Sequence, residues 1–560
     1  MAESANIARH LPLMAARQPD QPAIKIPHGR TSDGRIDYLT LSFAQLDTEV
    51  NAWVEKLAAR SVQRGDRVLV MVKQGLPLIA AAFALFKLGA VPVIIDPGMG
   101  RKNFLACVTR SKPRVLLGIP LAQLLSHIFR SAFSTVEIRI WVSSSSIAQL
   151  SGSGKFVIRK SEIVNSTSAD LAAVLFTSGS TGAPKGVCYE HGMFEAQVRL
   201  IRDTYNIQPG EIDLPMLPIF ALFNPALGMT TIVPEIDPSR PAAVDPAKIV
   251  QAILQEGVTN SFGSPTLWDK IALHCITHQL KLPSMRRILC AGAPVPALLW
   301  DKSRIFLPNG RMHSPYGATE ALPICSISSG EIPADSVAGA CVGRPLSGIE
   351  VRIIGISDAP IANLTETQVL PVGEIGEIIV SGPTVTKEYD GLPEATAAAK
   401  IQFSGSQLSA LDSQLAASGG CFHRMGDCGY LDAAGRLWFV GRKAERLETS
   451  AGPLFTEPCE QVFRRNDCVV RCALIGLGPR GSQTPALVVQ IWEMLDPKEK
   501  PVIARDLRQL ALQHPHTAGI TQFFFHPSLP VDVRHNAKIH RLTLAQWAAT
   551  AKSYSPEPSS

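Results

Sequence analysis

A buried-strand pattern that runs straight into a loop dense in anion-binding groups constrains this chain more than any other feature. Leu171-Ala-Ala-Val-Leu175 is an unbroken apolar run, and Phe176-Thr-Ser-Gly-Ser-Thr-Gly-Ala-Pro-Lys-Gly-Val187 follows it directly. Within that stretch stand Gly179, Gly182 and Gly186, the hydroxyls of Thr177, Ser178, Ser180 and Thr181, and Lys185. Glycines let backbone amides approach an anion closely. Hydroxyls donate to phosphate oxygens and the lysine adds a point charge. The pattern predicts a buried strand feeding a phosphate-binding loop. It is not a Walker A loop, because no Gly-Lys-Ser/Thr ends it.

The rest of the chain is compatible with a large soluble enzyme. Its 560 residues allow several domains at about 150 residues each. A hydrophobic content of 46% beside 18% charged residues provides for a large core. The net charge of +6 is spread along the sequence and no Lys/Arg block interleaves with aromatics. Nucleic acid is therefore not an expected partner; a mild positive bias of this kind can assist binding of an anionic nucleotide or an acidic, lipid-like substrate. Eleven cysteines are scattered without a CxxC pair, which is cytosolic usage and not a disulfide framework. Cys188, Cys290, Cys341 and Cys472 have apolar neighbours and are expected in the core. The first ten residues contain Glu3 and no apolar stretch, so no secretory signal is expected and the location expected is cytoplasmic. Leu76 to Ile95 is interrupted by Lys87, Gly89 and Pro92. It reads as a buried helix followed by a strand, with no transmembrane segment.

Between about residues 40 and 175 helical and strand patterns alternate. An amphipathic helix opens at Phe43-Ala-Gln-Leu46, Arg67–Val72 is a strand, Pro77–Leu88 a helix ending at Gly89, and Ala90–Ile95 a strand. Such alternation predicts an α/β fold of stacked layers with largely parallel sheets. Ser143–Ser153 and Ser404–Gly420 have the composition of surface insertions, and Lys552–Ser560 that of a disordered tail. A boundary is expected near Gly441-Arg-Lys-Ala444, where the strand Leu437-Trp-Phe-Val440 meets a charged run. It divides a large N-terminal domain (1–443) from a smaller α+β C-terminal domain (444–560), a plausible size for a small domain.

Further motifs follow in order. Ala291-Gly-Ala-Pro294 is a turn after a strand-like Arg287–Cys290. In Pro315-Tyr-Gly-Ala-Thr-Glu320, Tyr316 offers a flat face for a purine, Thr319 a hydroxyl for a phosphate, and Glu320 a hard oxygen ligand for Mg²⁺. His423-Arg-Met-Gly-Asp427 places a carboxylate able to accept from both hydroxyls of a ribose. Arg442 stands in Gly441-Arg-Lys443, and Lys538 in Val531-Asp-Val-Arg-His-Asn-Ala-Lys-Ile539.

Taken with the Phe176–Val187 loop, these segments resemble the adenylate-forming superfamily of acyl-CoA synthetases, luciferases and nonribosomal-peptide adenylation domains, over nearly the whole chain. Phe86 to Pro97 resembles an early core motif of that superfamily, with no catalytic role expected. The resemblance implies a mobile C-terminal lid, and ATP and Mg²⁺ as cofactors. It implies a nucleotide site made of Thr177, Ser178, Gly179, Ser180, Thr181, Gly182 and Lys185, the adenine-bordering turn Gly292, Ala293 and Pro294, and Tyr316, Gly317, Thr319, Asp427 and Arg442. Catalysis would fall to Lys185, Glu320 and Lys538, with Glu320 holding the metal and Lys538 neutralising charge at the α-phosphate.

Three segments are similar to the olefin β-lactone synthetases in particular: Leu217-Pro-Ile-Phe-Ala-Leu-Phe-Asn-Pro-Ala-Leu-Gly228 with Ile236–Pro241, then Arg442–Pro458, then Val531–Ile539. Acyl-CoA ligases usually carry histidine where Ala221 stands and Asp or Lys where Ala444 stands. The activity implied is ATP-dependent activation of a β-hydroxy fatty acid, a 2-alkyl-3-hydroxyalkanoate, followed by closure to a β-lactone. The alternative is a long-chain fatty acyl-CoA ligase or acyl-AMP ligase. Phe220, Ala221, Phe223, Asn224 and Gly317 are the expected substrate pocket. Other enzymes of olefin biosynthesis are the partners the resemblance implies. A base for the hydroxyl is not singled out; His313, His423 and His535 are the histidines near the motifs.

Overall fold

The computed structural model describes residues 5–142, 162–177, 183–237, 243–333, 338–403, 420–531 and 539–556. Four sheets of fourteen, six, three and two strands organise them. The six-stranded sheet is the one the alternating pattern predicts. Its strands Ile138–Trp141, Val115–Gly118, Arg67–Met71, Val91–Ile95 and Leu171–Thr177 pair in parallel in that order, and Lys185–Glu190 closes the edge as a hairpin partner of Leu171–Thr177.

Local chemistry sets the elements. Ser42 caps the helix Phe43–Ala58 with a reciprocal capping box to Gln45. Helix Leu76–Leu88 is apolar on all sides and ends where Gly89 turns left-handed at φ +68°. Among its buried residues is Lys87, whose ammonium donates to Asn51 at 2.6 Å. A helix buried all round must sit between layers, and this one packs in the core shared by the two large sheets.

The fourteen-stranded sheet corrects the expectation of largely parallel pairing. Ile212–Pro215, Asn260–Gly263, Arg287–Cys290 and Arg311–Ala318 are parallel neighbours. From Arg311–Ala318 onward, through Ala321–Ser328, Ala340–Pro345, Leu437–Arg442, Cys421–Leu431, Gly376–Ser381 and Glu350–Ile354, every pairing is antiparallel. Arg311–Ala318 and Ala321–Ser328 are joined by a two-residue turn, which only an antiparallel pair allows; the later pairings, such as Ala340–Pro345 with Leu437–Arg442, join strands distant in the chain.

Beyond Arg442 a separate core forms around the three-stranded sheet Val469–Leu477, Thr484–Ile491 and Gln522–Phe525. Arg541 ties this part together, donating to Glu445 at 2.7 Å and to Glu460 at 2.8 Å. On its outer side Asp358 accepts from Arg446 and Arg480. The end of the chain also differs from expectation: Tyr554 exchanges backbone hydrogen bonds with Phe523 and stacks edge-on to Phe525. Ser143–Ser153 lies outside the described residues, as does all of Ser404–Gly420 except Gly420. All eleven cysteines are free, and Cys341 is only half-buried. No helix among the described residues is long and apolar enough to cross a membrane.

Candidate active site

A cavity of about 1310 Å³ opens where the C-terminal ends of the parallel strands of both large sheets meet, the usual place for a ligand in open α/β sheets. Several short loops and strand ends deliver polar side chains to it. Thr177 and Lys185 are register partners in the hairpin that brackets the glycine-rich loop; Ser178–Gly182 lie outside the described residues. Lys185 lines the cavity with its ammonium 4.7 Å from the centre of the Tyr389 ring. Gly186 has a different use from the one expected. A Cβ there would lie 2.9 Å from Phe176 and 3.0 Å from Val174, and its carbonyl accepts from Asp390. Its missing side chain serves strand packing.

Thr319 and Glu320 form the two-residue turn between Arg311–Ala318 and Ala321–Ser328, so both project at the cavity. Gly317 lets this turn close, since a Cβ there would come 2.7 Å from the carbonyl of Ala321. The backbone carbonyl of Thr319 accepts from the Tyr189 hydroxyl, and that of Glu320 from the Thr386 amide and hydroxyl. The Tyr389 hydroxyl donates to the Glu320 carboxylate at 2.8 Å. Tyr389 is held in turn by its neighbour Asp390, which takes a bidentate pair from Arg67 at 2.7 and 2.8 Å.

Asp427 and Arg442 face each other across an antiparallel pair. One carboxylate oxygen of Asp427 accepts from Arg442 at 2.7 Å and the other from the Tyr316 hydroxyl at 2.6 Å. Burial and the adjacent carboxylate hold the Tyr316 phenol far above its usual range, while Asp427 keeps Arg442 firmly cationic. The result is a carboxylate fixed on two sides, by a guanidinium and a phenol.

Of the adenine-side turn, Gly292 lines the cavity, whereas Ala293 and Pro294 do not. Phe220, Phe223 and Gly317 line it as well. Phe220 stacks on Phe262 with ring centres 3.6 Å apart. Ala221 and Asn224 are buried elsewhere: the Asn224 amide donates to Asp213 and Thr231, both at 2.9 Å. Isolation from water raises the Asp213 carboxyl to about 7. Asn224 therefore satisfies a buried polar cluster instead of facing the cavity.

The three histidines separate. His313 packs edge-on to Tyr205, and burial lowers it to about 4. His535 lies outside the described residues, with Lys538. His423 is on the cavity wall, and burial together with the charges of Lys400 and Lys185 holds it neutral. Lys400, itself buried and lowered to about 8 by desolvation, donates to the Thr386 carbonyl. Tyr189, Tyr389, Thr386 and Lys400 were not legible as site residues, for none sits in a recognisable motif.

Comparison with known proteins gives a consistent result. Residues 13–390 match the family described as AMP-binding enzyme. The chain is 43% identical over 98% of its length to an olefin β-lactone synthetase of Xanthomonas campestris pv. campestris, covering 98% of that protein. It is 42% identical to an olefin β-lactone synthetase of Stenotrophomonas maltophilia, covering 98% of this chain and 99% of that one. The solved structure of o-succinylbenzoate coenzyme A synthetase from Bacillus subtilis in complex with AMP superposes with a TM-score of 0.73 over 98% of this chain and 99% of that one, at 21% identity. That likeness speaks for the fold alone.

Proposed function

The chain belongs to the AMP-binding enzyme family, in the branch of the olefin β-lactone synthetases, and on that premise we propose how its cavity works on a 2-alkyl-3-hydroxy fatty acid. In the first half-reaction the substrate carboxylate attacks the α-phosphorus of ATP, pyrophosphate leaves, and acyl-AMP forms. Asp427 accepts the ribose hydroxyls beside Arg442. The Ser178–Gly182 loop and Lys185 receive the triphosphate. The proposed division of labour has residues 1–443 carry the nucleotide corner and residues 444–560 act as a lid that delivers Lys538 to the α-phosphate.

One carboxylate next to a phosphate site fits Mg²⁺, which takes one or two carboxylates and completes its shell with phosphate oxygens and water. Glu320 is the residue that would hold it, and the Tyr389 hydroxyl orients that carboxylate. When bound, the ion draws negative charge from the phosphate oxygens.

In the second half-reaction the β-hydroxyl oxygen bonds to the acyl carbon and the acyl–phosphate C–O bond breaks. AMP departs, and the hydroxyl proton ends on the departing phosphate or in solvent. Nucleophile and electrophile belong to one molecule, so a fixed pose supplies most of the advantage. Apolar walls at Phe220 and Phe223 shield the mixed anhydride from water. Ala221 and Ala444 stand where acyl-CoA ligases usually carry other residues, and this departure is what supports lactone closure over thioester formation.

The observation that carries this reading is a single cavity joining Tyr316 and Arg442, the two partners that fix Asp427 behind its wall, to large apolar walls. The test is to supply ATP, Mg²⁺ and a 2-alkyl-3-hydroxy acid with and without CoA. Lactone and AMP are expected at the same rate in both. A 3-deoxy analogue should stop at acyl-AMP. Thioester that accumulates with CoA would transfer the chain to the acyl-CoA ligases.

A further inference from the structure

The cavity exceeds the roughly 300–1,000 Å³ of ordinary small-molecule sites, and its extra space has a definite course. Leu171–Thr177, Val91–Ile95, Arg67–Met71 and Val115–Gly118 are consecutive neighbours in the six-stranded sheet. Their C-terminal ends supply Phe176, Ile94 and Val70 to the cavity wall in that order. After the last strand come Ile119, then Leu121 and Leu125 of the helix Pro120–Ile128. Three strand spacings make this limb about 14 Å long. Its start is Lys185 and Phe176, at the phosphate loop, and its end is Leu121, a cavity-lining residue that is nonetheless 58% exposed. Leu124 and Ile128, 55% and 60% exposed, continue the apolar surface outside.

The polar side chains along the limb are occupied or wet. Arg110 donates to the Pro184 carbonyl at 2.6 Å, Asp96 accepts from the Gly98 amide at 2.9 Å, and Gln74 is exposed. An apolar passage with an open far end suits a hydrocarbon chain whose length need not be fixed.

We propose that this limb is a second acyl subsite, separate from the Phe220–Phe223 wall, which takes one of the two alkyl chains of a branched β-hydroxy acid and lets its tip emerge at Leu121. The inference rests on the reading of the substrate as a branched acid. Each methylene buried in the limb raises kcat/KM about fourfold. The gain ends when the chain reaches the mouth, because further methylenes lie in water.

The test is a matrix of 2-alkyl-3-hydroxy acids whose two chains vary independently, scored by pyrophosphate release. Wild-type kcat/KM should climb with the length of one chain and then flatten. Ile94→Trp, which plugs the limb midway, should cost at least tenfold more with the longest such chain than with the shortest, and this ratio should ignore the other chain. Should Ile94→Trp not fold, Leu121→Asp at the exposed mouth should lower only the plateau, by about fourfold. A loss equal at all lengths, or equal for both chains, would overturn the second subsite. Pyrophosphate release without lactone would instead refute the lactone reading while leaving the chain-length result readable.

Discussion

The polar corner around Tyr316, Glu320 and Arg442 and the apolar limb share one cavity and are built on opposite principles. In the corner the described groups hold one another: Tyr316 and Arg442 on Asp427, Tyr389 on Glu320, Tyr189 on the Thr319 carbonyl. In the limb Ile94, Val70 and Leu121 offer surface and no direction. A corner of this kind fixes one ligand in one pose, because moving any member leaves a buried polar group unsatisfied. A limb of this kind measures only how much hydrocarbon is buried. Reaction and chain selection are thereby assigned to different residues, and substitutions should separate them.

The largest effect is expected at Lys538. Lys538→Ala should slow pyrophosphate release by about 10²–10³-fold with every acid while ATP still binds, since its charge acts mainly in the transition state. Near-normal release would remove it from the corner. Next is Gly317→Ala, whose Cβ must push the Ala321 carbonyl and with it the Thr319–Glu320 turn. A loss of roughly tenfold or more in kcat, with the chain-length profile unchanged, would keep turn and limb independent; a shifted profile would join them. Tyr389→Phe removes one hydrogen bond to the Glu320 carboxylate and should cost about 1–2 kcal/mol, roughly tenfold. The loss should appear as a raised Mg²⁺ requirement and recede at high Mg²⁺. A loss indifferent to Mg²⁺ would detach Tyr389 from the metal.

The two regions also differ in how far they could be read from the amino-acid sequence. The corner comes from short contiguous stretches, Tyr316–Glu320 and His423–Asp427, because the partners of a turn or a strand pair lie close in the chain. Its supports do not: Tyr389 owes its place to the ion pair of Asp390 with Arg67, more than three hundred residues apart. The limb draws on separate segments, and nothing in the sequence separates the lining Ile94 from the core residue Val93 beside it on the strand's opposite face. Asn224 is hidden from sequence for the same reason: its partners Asp213 and Thr231 are contacts of the fold. The parallel sheet was legible because helices alternate with its strands. The antiparallel run after Arg311 carries no such rhythm.

Asp358 brings the Arg446 and Arg480 side chains of the C-terminal part onto the main body while itself remaining 52% exposed. An exposed ion pair contributes about 0.2–1 kcal/mol and weakens as salt rises. At that scale, losing one pair changes the ratio of two arrangements by no more than about fivefold. The Asp358 pairs are thus a small, salt-sensitive share of what seats the C-terminal part, beside the packing of the helix Thr456–Phe463 against the strand Leu437–Arg442. Asp358→Asn, or a few hundred millimolar salt, should shift the populations of the C-terminal part without touching a single residue of the cavity.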